Sequence, residues 1–137
     1  ISEFPVTLQI AREAAERGFL TVLGAPNILL RGSHSGNLSA LDAVRADAVS
    51  VLVSDYYPQA MLHSIFIMHH KHGVSIPDMV KRVSLNPAKA TRIDQEYGSL
   101  EKGKRADVLI VDEIDGYPVI THVLVDGRTT SRVEYRR

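Results

Sequence analysis

Cysteine is absent from the 137 residues. That excludes disulfide frameworks, thiolate metal sites and cysteine nucleophiles, and it fits a cytoplasmic protein. An excess of one charge is also missing, since sixteen basic residues balance sixteen acidic ones. Nothing in the charge therefore points to nucleic acid or a membrane surface as partner. No apolar run approaches the roughly 20 residues of a membrane span. The chain also lacks the Gly-Lys-Ser/Thr ending of a Walker phosphate loop. What it has is 45% hydrophobic residues, enough for a sizeable core in a chain of single-domain length.

Ile1-Ser-Glu-Phe-Pro5 reads as the end of a strand that enters a helix. So abrupt an opening is expected of a piece of a longer polypeptide. Leu8, Ala11 and Ala15 recur at helical spacing within 6–17, and Gly18 supplies a stop. A short apolar strand over 19–23 then closes on a Gly24-Ala-Pro-Asn27 loop. Ser39-Ala-Leu-Asp42 is a capping-box-like start for a short helix ending near Ala46. The segment 49–54 is apolar on both faces, as a buried parallel strand should be. Pro58 suits a first helical turn, and Met61, Leu62, Ile65, Phe66 and Met68 extend that helix to Gly73. Ser75 caps the next helix, and Asn86-Pro-Ala88 reads as the N-cap and start of another. Alternating strands and helices predict a parallel α/β architecture. From Tyr97 the pattern changes to a turn-rich link and three strands over 106–112, 119–125 and 131–135. Asp126-Gly127 marks a hairpin between the last two.

Two features could carry chemistry. Asp55 ends the apolar run of 49–54, and carboxyl ends of parallel strands are where sites form. A carboxylate there can ligate a divalent metal and take a proton from water, although one that caps the following helix fits as well. The second feature is the loop Arg31-Gly-Ser-His-Ser-Gly-Asn37. Gly32 and Gly36 allow successive backbone N–H groups to face an anion. Ser33, His34, Ser35 and Asn37 add donors, and Arg31 could grip a phosphate with both arms of its guanidinium. An ordinary polar loop before a helix has the same composition. His69-His70-Lys-His72 reads as a cationic helix end, favoured by the helix dipole. His122 reads as structural, and His63 is open to either role. Tyr56 and Tyr57 could line the mouth of a site or simply pack.

Glu3-Phe-Pro5, Gly24-Ala-Pro-Asn27, Gly32-Ser-His-Ser-Gly-Asn37 and Ser54-Asp-Tyr-Tyr-Pro58 together resemble the phosphonate-metabolism branch of the amidohydrolase superfamily. Asn86-Pro-Ala88 and Gly98-Ser-Leu-Glu-Lys-Gly-Lys-Arg-Ala-Asp-Val108 resemble that superfamily's C-terminal signature. The resemblance implies a (β/α)8 metal-dependent hydrolase barrel with a small β-sandwich. Residues 1–96 would be the C-terminal portion of the barrel, and 97–137 the C-terminal strands of the sandwich. It also implies a divalent metal, zinc by expectation, held by a His-x-His pair and further groups, with an Asp on the eighth strand. Only that Asp has a match, at Asp55. No His-x-His opens the chain, and His70-Lys-His72 has the spacing at a helix end rather than on a strand.

The implied reaction is hydrolysis of a phosphoric anhydride, with release of diphosphate from a phosphorylated ribose methylphosphonate. Asp55 would be both metal ligand and proton acceptor. Arg31, Ser33, His34, Ser35, Gly36 and Asn37 would bind the phosphorylated small-molecule substrate. The chain alone is expected to be inactive and to associate with copies of itself, because part of a barrel leaves strand edges and apolar faces open. The alternative is a non-enzymatic phosphate- or nucleotide-binding module that uses the same loop.

Overall fold

The computed structural model describes residues 1–30 and 37–135. Strand β1 (Ser2–Glu3) leads to helix α1 (Leu8–Glu16), whose N-cap Thr7 accepts a hydrogen bond from the Ile10 N–H. Strand β2 (Thr21–Gly24) follows. A short helix α2 (Pro26–Leu29) and then α3 (Ala40–Arg45) precede strand β3 (Val51–Val53). The three strands form a parallel sheet in the order β1-β2-β3, with Ser2 opposite Thr21 and Val22 opposite Val51. Every residue of β2 is buried, as a central parallel strand requires.

Helices α4 (Gln59–His72), α5 (Ile76–Val83) and α6 (Leu85–Ala90) come next. Gly73 ends α4 in the left-handed conformation, and the Ser39 and Ser75 hydroxyls cap α3 and α5, all as the sequence predicts. The core is continuous, joining Leu23, Ile28, Val44, Leu52, Met68 and Met79 between sheet and helices. Among the described residues no helix is long and apolar enough to cross a membrane.

Strands β4 (Val108–Ile114), β5 (Tyr117–Val125) and β6 (Arg128–Arg132) form a separate antiparallel sheet. Two-residue turns join them at Asp115-Gly116 and Asp126-Gly127, and all four residues have positive φ. That is the pairing of Asp and Gly that hairpins with right-handed twist favour. The first of these turns was not predicted, so β4 and β5 run further towards each other than expected. Arg105 ties the link to this sheet through an ion pair with Asp126 at 2.9 Å, while its guanidinium lies 5.7 Å from the centre of the Tyr97 ring. The Asp126 carboxylate pushes the Arg105 pKa up.

Two expectations are corrected. The segment 24–27 is not a plain loop. Ala25 already has helical backbone angles, its N–H donates to Val53 O at 2.9 Å, and Pro26 opens α2. Asn86 is not an N-cap either, since Ser84 holds that position. The Asn86 Nδ2 instead donates to Ser50 O at 2.7 Å, across to the start of β3.

Candidate functional site

The position of Asp55 is set at the opposite end of β3. There Thr21 Oγ1 donates to Ala48 O at 2.9 Å and accepts from Ser50 N–H at 3.0 Å. Asn86 holds Ser50 O, and Arg82 donates to Val49 O and pairs with Asp47 Oδ1 at 2.8 Å. These bonds span α5, α6, β2 and β3, so they fix where β3 begins. The register of three paired residues, ending at Gly24 opposite Val53, then fixes where it stops.

Asp55 follows two residues later, in a turn closed by the Tyr57 N–H to Ser54 O bond of 2.9 Å. Its φ is +52°, which turns the chain sharply away from the strand direction. The carboxylate comes back over β2, so that a Cβ built on Gly24 would lie 3.6 Å from Asp55 Oδ2 and 3.7 Å from Phe4 Cε1. Three strand ends therefore meet here: Phe4 after β1, Gly24 closing β2 and Asp55 after β3. Asp55 is exposed, and no hydrogen bond or ion pair occupies its carboxylate among the described residues. It does not serve as the helix cap, because Pro58 stands at that position and no side chain caps α4.

The polar loop is only partly covered. Arg31, Gly32, Ser33, His34, Ser35 and Gly36 lie outside the described residues. Asn37 is described and exposed. The flanks are well anchored. Leu30 N–H donates to Pro26 O at 3.0 Å, just past the end of β2, and Leu38 N–H donates to Val6 O at 3.0 Å, just past the end of β1. Both anchors thus lie past the carboxyl ends of their strands, the end of the sheet at which Asp55 follows β3.

Tyr56 and Tyr57 are exposed beside Asp55. The histidines lie elsewhere. His70 Nε2 meets Glu113 Oε2 at 2.8 Å, joining α4 to the antiparallel sheet, so the helix end is more than a solvated one. Among the described residues the His122 ring bonds only its neighbour, Thr121 Oγ1, at 3.2 Å. Sequence reasoning missed Phe4 and Gly24 as neighbours of Asp55. The available signal was the meeting of three predicted strand ends, which matters only once the register is known.

The donor set bears on a metal. Among the described residues Asp55 is one carboxylate without a partner, a hard oxygen ligand, and no group of three His, Cys, Asp or Glu side chains could hold an ion. A metal held at Asp55 would have to draw its other ligands from outside the described residues.

The sequence profile of the amidohydrolase family matches residues 5–130. The chain is 36% identical, over 93% of its length, to alpha-D-ribose 1-methylphosphonate 5-triphosphate diphosphatase of Escherichia coli (strain K12), and covers 34% of that protein. It is 32% identical, over 60% of its length, to adenine deaminase 1 of Desulfotalea psychrophila, covering 14% of it. Among solved structures, an amidohydrolase from Thermotoga maritima superposes with a TM-score of 0.73 at 23% identity, over 96% of this chain and 36% of the other. The chain thus spans about a third of the length of that diphosphatase.

Proposed function

The chain belongs to the amidohydrolase family, and from that premise we propose that its full-length polypeptide is a metal-dependent diphosphatase acting on alpha-D-ribose 1-methylphosphonate 5-triphosphate. The observation that carries the proposal is the Asp55 carboxylate at the end of β3, unpaired among the described residues, in a chain 36% identical to a diphosphatase over nearly its whole length. In this reading residues 1–96 supply the last strands of a (β/α)8 barrel, and 97–137 supply strands of a composite β-sandwich. The remaining metal ligands come from the rest of the polypeptide, and zinc is the proposed metal.

A divalent ion at this centre would lower the pKa of a water towards neutrality and draw charge from a phosphoryl oxygen. Asp55 would hold the ion through a carboxylate oxygen, and its carboxylate would accept the proton of the attacking water; as the water's oxygen bonds to phosphorus, the bridge between the α and β phosphates breaks and diphosphate leaves. Arg31, Ser33, His34, Ser35, Gly36 and Asn37 are assigned to the phosphates, where N–H and O–H donors offset the charge that builds on the oxygens. The chain alone is inactive in this reading, since one carboxylate does not make a metal centre. It also self-associates, because β3 has only one paired edge among the described residues, and Phe19, Leu30 and Ile10 are exposed.

Diphosphate release by the full-length polypeptide tests the proposal. Asp55→Asn should lower the rate at least about a hundredfold, more than is typical for a residue that only supports a ligand. Undiminished release in that variant would sink the mechanism. Absence of release from the wild type, with phosphate still bound, would favour a binding module instead.

A further inference from the structure

Among the described residues Phe4 is the bulkiest with a positive φ, +49°. Bulky side chains rarely adopt that conformation, and such strain persists where surrounding structure enforces it. Here the Phe4 N–H is held by Val22 O at 2.9 Å, and the next residue, Pro5, is buried. The resulting turn directs the ring back across the end of β2 rather than into the core with Leu23 and Leu52. The ring remains 46% exposed, and its Cε1 and the Asp55 Oδ2 both lie within ordinary contact distance, 3.7 and 3.6 Å, of the point a Cβ on Gly24 would occupy.

We propose that Phe4 is a substrate-contacting residue that selects the carbon part of the ligand. Its ring forms an apolar wall for the C–H face of a pentose phosphate, and Gly24 keeps open the gap between that wall and Asp55. An aromatic face beside a carboxylate suits a ligand with an apolar side and a polar side, which a sugar phosphate has and inorganic phosphate lacks. The assignment rests on the reading of Asp55 as part of a phosphate-ester site.

Calorimetry on the full-length polypeptide tests it, with ribose 5-phosphate and inorganic phosphate as probes. Ribose 5-phosphate should bind more tightly than phosphate. Phe4→Ala should weaken ribose 5-phosphate roughly three- to tenfold and leave phosphate unchanged, while Phe4→Tyr keeps the wild-type preference. If Phe4→Ala does not fold, Phe4→Leu decides, since it stays apolar but loses the flat face. Gly24→Ala is an independent check. Its methyl would sit at ordinary contact distance from Phe4 and Asp55, so the fold tolerates it while the gap fills. It should show the same selective loss. Equal weakening of both probes, or no change in either, would overturn the assignment of Phe4. Phosphate binding with no gain from the sugar would do the same and leave the phosphate site standing. Failure of both probes to bind the wild type would overturn the site itself.

Discussion

The parallel and antiparallel sheets are held together by different means. In the parallel sheet β2 is buried throughout, and its strands pair through backbone ladders between segments that the chain connects by helical crossovers. In the antiparallel sheet β6 is exposed throughout, and neighbouring strands are joined by two-residue turns. One owes its form to contacts between residues far apart in sequence, the other to local turn chemistry. The candidate site lies on the first, where distant strand ends are brought together and held by a rigid core. The difference suggests that the two sheets should respond separately to substitution.

The largest effect is expected from Leu52→Ala, which empties a fully buried position in β3 and should cost about 2–5 kcal/mol. Hydrogen exchange should show β2 and β3 amides losing protection while those of β4 and β5 keep theirs. Equal loss in both sheets would break the comparison. Gly98→Ala acts at the link between them. Gly98 has φ +93°, and a Cβ there would lie 2.7 Å from the Ala88 Cβ and 3.1 Å from Leu85 Cα. Strain and overlap together should cost about 2–4 kcal/mol, read as a lower melting temperature with α6 exchanging first.

Asn86→Ala leaves Ser50 O without its side-chain donor and should cost about 1–3 kcal/mol. Because Asn86 helps set the start of β3, diphosphate release should also fall, while the exchange of β4 to β6 stays unchanged. The smallest effect concerns pH. The Ser75 hydroxyl and then Lys81 hold the Asp78 carboxyl below its ordinary value of 3.8. The folded state therefore favours the ionised form, and its contribution is present above the ordinary value and lost as pH falls through the lower folded one. The melting-temperature gap between the wild type and Ser75→Ala should narrow as pH drops below about 4. A gap that stays constant would show that the cap acts without the carboxylate.

Local chemistry was readable from the sequence. The Ser39 and Ser75 caps, the Gly73 stop and the Asp126-Gly127 turn depend on residues within four positions of one another. Asn86 misled because its partner, Ser50, lies 36 residues away, so a residue that resembles a cap is spent on a strand. His70 was read as a solvated helix end because Glu113 lies 43 residues further on. Asp55 was legible as a candidate because a carboxylate ending a buried apolar run carries its own signal. Its neighbours were not.

The sequence by itself determined the α/β class, the change of architecture near Tyr97 and the selection of Asp55 as a candidate, since hydrophobic periodicity, turn residues and caps act over a few positions. Only the tertiary structure decided that Phe4, Gly24 and Asp55 meet. They come from three strands separated by up to 51 positions, and the parallel register that aligns their ends depends on packing and hydrogen bonds no local pattern encodes.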